Sequence, residues 1–219
     1  MRALNFAGIL FDLDGTLLDT LDDIASATNR TLRLHGYPEH QNADYRLMVG
    51  WGIRRLVEVA LPAVARDAAM VETLAREVSD FLREHPVVET RPYPGIPALL
   101  AELSRKGLHL VILSNKPDEL TRLVVSTLLG EKYFDAIQGA RPDLPRKPDP
   151  TAALLLAKQV GVASERMLFL GDSDVDMQTA TAARMYPVGA GWGFRTPEEL
   201  MQNGARVVIE KPGELLSLL

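Results

Sequence analysis

Gly8-Ile9-Leu10-Phe11-Asp12-Leu13-Asp14-Gly15-Thr16 is the stretch on which the fold turns. Gly8 to Phe11 carry no polar side chain, so they read as a strand covered on both faces rather than one lying against solvent. Residues two apart in a strand share a face, so Asp12 and Asp14 project together while Leu13 faces away. Gly15 permits a backbone turn that a side chain would hinder. Two carboxylates this close repel and desolvate each other, a cost that a bound cation or a shared proton offsets. A solvated turn that happens to hold two acids is the alternative reading. The apolar strand before the pair and the Gly-Thr after it favour a functional turn, because open α/β sheets bind ligands at the carboxyl ends of their strands.

Working outward, strand-length apolar runs recur at 6–11, 108–113, 167–170, 186–188 and 207–209. Segments with helical spacing separate them, at 96–106, 119–129, 151–160 and 175–184. This alternation predicts an α/β fold with a doubly wound, mostly parallel sheet of the Rossmann type. Residues 21–85 break it, being helical in pattern nearly throughout, and Tyr93-Pro94-Gly95 marks the return to strand–helix order. The expected organisation is a catalytic core of residues 1–16 and 92–219 with an inserted helical cap over 17–91.

The chain has 219 residues, 47% hydrophobic and 24% charged, an ordinary globular balance. A net charge of −5 exerts no general pull on nucleic acid or anionic membrane, so neither is expected as a partner. With no cysteine, disulfide scaffolds, Cys-based zinc sites and thiol nucleophiles are excluded. No stretch is apolar for long enough to span a bilayer. Residues 1–6 hold one basic residue and run straight into the first strand, which does not read as a secretory signal. A cytoplasmic protein, monomeric or weakly dimeric, is expected.

A carboxylate attacking phosphorus needs a cation, donors for the phosphoryl oxygens and an acid for the leaving group. Each is available after another predicted strand. Ser114 and Asn115 offer a hydroxyl and an amide, although Ser-Asn before a helix is also an ordinary N-cap. Lys147 stands in Arg146-Lys147-Pro148-Asp149-Pro150, where the prolines limit how the segment can point, against the default of a surface lysine. Gly171-Asp172-Ser173-Asp174-Val175-Asp176 puts three acids into five residues. Helix capping explains Asp174 but not all three, and hard oxygen donors of this kind suit Mg²⁺. No G-x-x-x-x-G-K-[ST] occurs, so P-loop chemistry is out.

Taken in order, these four segments resemble the motifs of the haloacid dehalogenase superfamily over essentially the whole chain, with Asp12-Leu13-Asp14-Gly15-Thr16 as its D-x-D-G-T. The resemblance implies a hydrolase of small phosphate esters. It implies Asp12 as nucleophile, Asp14 as acid and base, and Ser114 and Lys147 as phosphoryl ligands. It also implies Mg²⁺ on Asp12, the Asp14 backbone carbonyl and Asp172, steadied by Asp176. Dehalogenases of this kind lack an acid at Asp14, and phosphonatases use a cap lysine, of which residues 21–85 have none. A phosphomutase of the β-phosphoglucomutase type keeps both aspartates and remains the alternative; a non-catalytic protein would be expected to break at least one motif.

Within the cap, Val49-Gly50-Trp51-Gly52-Ile53-Arg54-Arg55-Leu56-Val57 resembles a stretch of the phosphoglycolate phosphatase subgroup. Gly189-Ala190-Gly191-Trp192-Gly193 suits that subgroup too, while Gly139-Ala140-Arg141 departs from many of its members, which have an acid near Arg141. The cap stretch's paired glycines before a helix with two arginines make Gly52 and Arg54 candidate receptors for a substrate carboxylate or second phosphate, beside Thr16 and Asn115 as further binding residues. A helix corner with solvated arginines is the competing reading.

Overall fold

The computed structural model describes residues 5–219. The reading of the N-terminus as free of a secretory signal rests largely on residues 1–4, which lie outside the described residues. In chain order the strands and α-helices are β1 (Gly8–Phe11), β2 (Leu18–Asp19), α1 (Leu21–Leu34), α2 (Asn42–Met48), α3 (Ile53–Ala60), α4 (Ala68–Glu84), β3 (Arg91–Pro92) and α5 (Ile96–Arg105). There follow β4 (His109–Pro117), α6 (Asp118–Leu128), β5 (Ala136–Ala140), α7 (Thr151–Gln159), β6 (Met167–Gly171), α8 (Asp174–Ala182), β7 (Tyr186–Ala190), α9 (Pro197–Gln202) and β8 (Val207–Ile209).

Six strands form one sheet in the order β5-β4-β1-β6-β7-β8, and every pairing in it is parallel. The chain winds from β1 out through β4 to β5, then crosses to the other side of β1 and continues through β6 to β8. That reversal is the topological switch point of a doubly wound sheet, with its crevice between β1 and β6. The central strand shows why its apolar run does not alternate. Ile9 and Phe11 pack into one layer with Ile96, Leu100 and Val125, while Leu10 packs into the other with Leu156, Phe169 and Ala180. Both faces are covered by helices, so both faces must be apolar.

Edge strand β5 was not anticipated from sequence. Ala136-Ile137-Gln138-Gly139-Ala140 holds one large apolar side chain, and its burial alternates as an edge position requires. The short strands β2 and β3 and helix α9 also escaped the periodicity reading, being too short to show one.

Helices α1 to α4 make the insert, closed at its base by the antiparallel β2–β3 ribbon, where Leu18 faces Pro92 and Asp19 faces Arg91. Leu17 and Leu18 pack with the core's largest cluster, so the helical body starts after them. The cap has its own apolar interior, formed by Leu32, Val57, Leu74 and Val78 among others. Two core residues are built into the cap's clusters, Leu120 from α6 and Phe194 from the segment after β7.

One acid secures the second chain crossing. Asp23, on the first turn of α1, accepts from the backbone N–H groups of Val88, Glu89 and Thr90 at 3.1, 2.9 and 3.0 Å. The Thr90 hydroxyl adds a fourth bond at 2.6 Å. Burial acts to raise the Asp23 pKa, but the bonds from Thr90, Glu89 and Val88 outweigh it and hold the carboxyl below its ordinary range. Asp23→Ala strands these donors, and thermal unfolding should show a loss of about 2–3 kcal/mol.

Candidate active site

Equal register brings the strand ends level. Phe11 pairs with Ile112 of β4 on one side and Leu170 of β6 on the other, so Asp12, Leu113 and Gly171 end at one height. Asp12 donates its N–H to the Leu170 carbonyl at 3.0 Å, then the chain turns. Gly15 makes that turn at φ +88°, and a Cβ there would sit 2.2 Å from Asp172 Oδ2. Only glycine meets both demands. On β4 the pairing with β5 shifts register between Leu113 and Pro117, the irregular stretch that presents Ser114, Asn115 and Lys116.

Asp12, Asp172 and Asp176 are buried with carboxylate oxygens within 4.8 Å of one another. Lys147 Nζ lies between two of them, donating to Asp12 Oδ1 at 2.7 Å and to Asp176 Oδ1 at 2.6 Å. The other Asp176 oxygen accepts from the Ser173 hydroxyl at 2.6 Å and its N–H at 3.1 Å. Asp172 accepts from Phe194 N–H at 2.7 Å and from the Thr16 hydroxyl at 3.2 Å. Burial, and then the Asp176 charge, push Asp172 up to about 7 and Asp12 well above the usual carboxylate range. Burial disfavours the charged form of Lys147, yet Asp12 and Asp176 hold its pKa above the ordinary lysine range. One lysine against three clustered carboxylates leaves an excess of negative charge in a buried site. That donor set of hard oxygens fits a divalent cation.

Asp12 and Asp14 open onto a cavity of about 40 Å³ between core and cap, together with Ser114, Asn115 and Gly52. The Asp14 carboxylate is not part of the acidic cluster: Lys116 Nζ donates to its two oxygens at 3.0 and 3.2 Å. Asn115 is committed to structure, its amide donating to the carbonyls of Gly50 and Lys147 at 3.0 Å each while its oxygen accepts from Lys147 N–H. Thr16 is likewise turned to Asp172 rather than to the cavity. Arg54 stands apart from the cavity, half-exposed, with its guanidinium 3.8 Å from Glu72. Its place on the outer side of α3, in a neighbouring cleft with Arg76 and Arg146, follows from Ile53 and Leu56 taking the inner side.

The family described as haloacid dehalogenase-like hydrolase matches residues 9–190. The chain belongs to that family. It is 35% identical over 211 residues to the phosphoglycolate phosphatase of Aquifex aeolicus, covering 96% of this chain and 95% of that one. It is 33% identical over 221 residues to the N-acetylmuramic acid 6-phosphate phosphatase of Pseudomonas aeruginosa, covering 100% and 97%. A crystal structure from Lactobacillus delbrueckii subsp. bulgaricus, provisionally assigned as a phosphoglycolate phosphatase, superposes with a TM-score of 0.92 at 28% identity, over 98% of this chain and 99% of that one.

In this haloacid dehalogenase-like hydrolase, residues that sequence motifs did not single out join the acidic site to the cap. The segment after β7 supplies them. Phe194 gives its N–H to Asp172 and its ring to the cap cluster with Ile24, Tyr45 and Leu56. Arg195 is buried and donates to the Arg46 carbonyl, to Leu47 O at 3.3 Å and to Val49 O at 3.0 Å, satisfying carbonyls at the end of α2. Arg46 returns the contact by donating to the Gly193 carbonyl. Partner carbonyls 146–149 positions away in sequence leave no local pattern to detect.

A pH dependence follows for the hydrolase in chelator. Asp172 binds its proton more tightly folded, up to about 7, than unfolded, near 3.9. Its contribution to stability is complete below the unfolded value and is lost as pH rises through about 7, by on the order of a few kcal/mol. A divalent cation binds ionised carboxylates, so the rise in melting temperature on adding one such as Mg²⁺ should grow from about pH 5 to about pH 8. Thermal unfolding with and without Mg²⁺ checks this; an increment independent of pH counts against the acidic cluster as the metal site.

Proposed function

We propose that the protein is a Mg²⁺-dependent phosphatase that hydrolyses a compact phosphomonoester through a phosphorylated Asp12. The observation that carries this is Asp12 on the cavity wall, buried, with Lys147 Nζ at 2.7 Å and Asp172 and Asp176 beside it. An Asp12 oxygen attacks phosphorus, and the bond from phosphorus to the ester oxygen breaks. Asp14 gives the leaving oxygen its proton, then takes one from the water that attacks the phosphoryl-aspartate, releasing phosphate and restoring Asp12. Ser114 and Lys147 hold phosphoryl oxygens, and Lys147 lowers the repulsion between the two anions. Asp12, the Asp14 carbonyl and Asp172 would hold Mg²⁺, which would supply positive charge for the phosphoryl oxygens. The cap encloses the cavity and excludes bulk water from the intermediate until the leaving group departs.

Between the two substrates named for the relatives, the cavity of about 40 Å³ favours the smaller, 2-phosphoglycolate, over a muramic acid phosphate. Among the described residues no helix is long and apolar enough to cross a membrane. Phosphate release from 2-phosphoglycolate, sugar phosphates, nucleotides and N-acetylmuramic acid 6-phosphate, with Mg²⁺ and with chelator, tests the reading. Mg²⁺-dependent release, fastest from the smallest ester, is expected. Absence of release from every ester overturns it.

A further inference from the structure

The cavity above Asp12 has an unbalanced wall. Toward the cap it is apolar, formed by Ile24, Val49, Ile53, Leu56 and Leu82. Among the described residues that line it, Lys116 carries the only cationic side chain. Its side chain is 7% exposed, and its one carboxylate partner is Asp14. The backbone around it is held from both sides: Lys116 N–H donates to the Ser114 hydroxyl at 3.2 Å, and its carbonyl accepts from the Thr121 hydroxyl at 3.1 Å. On its other side Lys116 shares a space of about 10 Å³ with Thr20, whose buried hydroxyl has no partner among the described residues. A buried ammonium with a single carboxylate partner in the wall of the cavity points to an anionic ligand there.

We propose that Lys116, rather than a cap arginine, is the specificity-determining residue: it binds an anionic group on the leaving alcohol, and that group is a carboxylate close to the ester oxygen. The inference rests on the phosphatase reading above. Asp14 acts at the ester oxygen, and its carboxylate lies 3.0 Å from Lys116 Nζ. Any anion that reaches Lys116 while Asp14 stays at the ester oxygen must be attached within a few bonds. A carboxyl carbon two bonds away, at about 1.5 Å per bond, meets that limit. Longer acids would have to displace the apolar cap residues, and neutral alcohols would leave Lys116 with Asp14 alone. Arg54, turned to Glu72 outside the cavity, cannot serve in this arrangement.

The test compares kcat/KM for 2-phosphoglycolate with that for its carboxamide and for ethyl phosphate, in the full-length protein with Mg²⁺. The wild type should prefer the carboxylate over the carboxamide by at least about a hundredfold, because a site built for a polar group rejects its absence strongly. Lys116→Met should lower that ratio by about a hundredfold, mainly through KM for the carboxylate. Lys116→Arg, which keeps the charge, should retain most of it. An unchanged ratio in Lys116→Met overturns the proposal. So does a wild-type ratio below about threefold, a comparison that needs no variant and decides the matter if Lys116→Met does not fold. Hydrolysis of all three esters without preference removes only the role of Lys116. Hydrolysis of none of them, nor of any other phosphomonoester, removes the phosphatase reading and this proposal with it.

Discussion

Asp12→Asn should lower phosphate release by at least about a thousandfold while leaving a folded protein. An amide is close in shape to the carboxylate, and its oxygen can still accept from Lys147, which now bonds Asp12 at 2.7 Å. What it lacks is a charged nucleophile able to form the acyl phosphate. The stability of this variant is equally informative. Asp12 is held well above the ordinary carboxylate range by burial and by the neighbouring Asp176 and Asp172, so its charge is unfavourable in the metal-free protein. Removing it should leave the melting temperature in chelator unchanged or raise it. The gain from added Mg²⁺ should shrink, since one of the three clustered carboxylates is gone. Activity near the wild-type level would sink the nucleophilic role of Asp12.

Lys147→Met should cost about as much activity and far more stability. Lys147 Nζ is the bridging cation of the buried cluster, and its removal leaves Asp12 and Asp176 facing each other. Breaking a buried ion pair from one side costs about 3–5 kcal/mol, which for a chain of this size is roughly 10 °C in melting temperature. The sign of the pH dependence separates this from a packing defect. With the lysine gone, the carboxylates bind protons more tightly in the folded state. Stability should therefore recover toward about pH 5 and fall as pH rises through neutrality. Thermal unfolding in chelator at both ends of that range measures it. A loss of equal size at every pH would assign Lys147 a packing role only.

The placement of the acids was legible in the sequence because each motif is local: Asp12-Leu13-Asp14-Gly15-Thr16 and Gly171-Asp172-Ser173-Asp174-Val175-Asp176 each carry their acids within a few residues of a strand end. The doubly wound sheet was legible for a related reason. Strands covered on both faces are apolar throughout, as in residues 8–11 and 167–170, and such runs stand out against helices. Edge strand β5 was not legible, since its one large apolar residue made no run.

The tertiary structure decided which way the side chains point. Sequence suggested Arg54 at the substrate because it follows Gly52 in the cap, but helix α3 turns Ile53 and Leu56 inward and leaves Arg54 beside Glu72. Lys116 carries no motif in the sequence, yet the irregular end of β4 sets its ammonium against Asp14, 102 positions away in sequence. The joining of Asp172 to the cap through Phe194 and Arg195 left no sequence trace either. Spacing along the chain records which residues share a strand end or a helix face. Contacts across a hundred residues depend on how whole elements pack, and no local pattern encodes that.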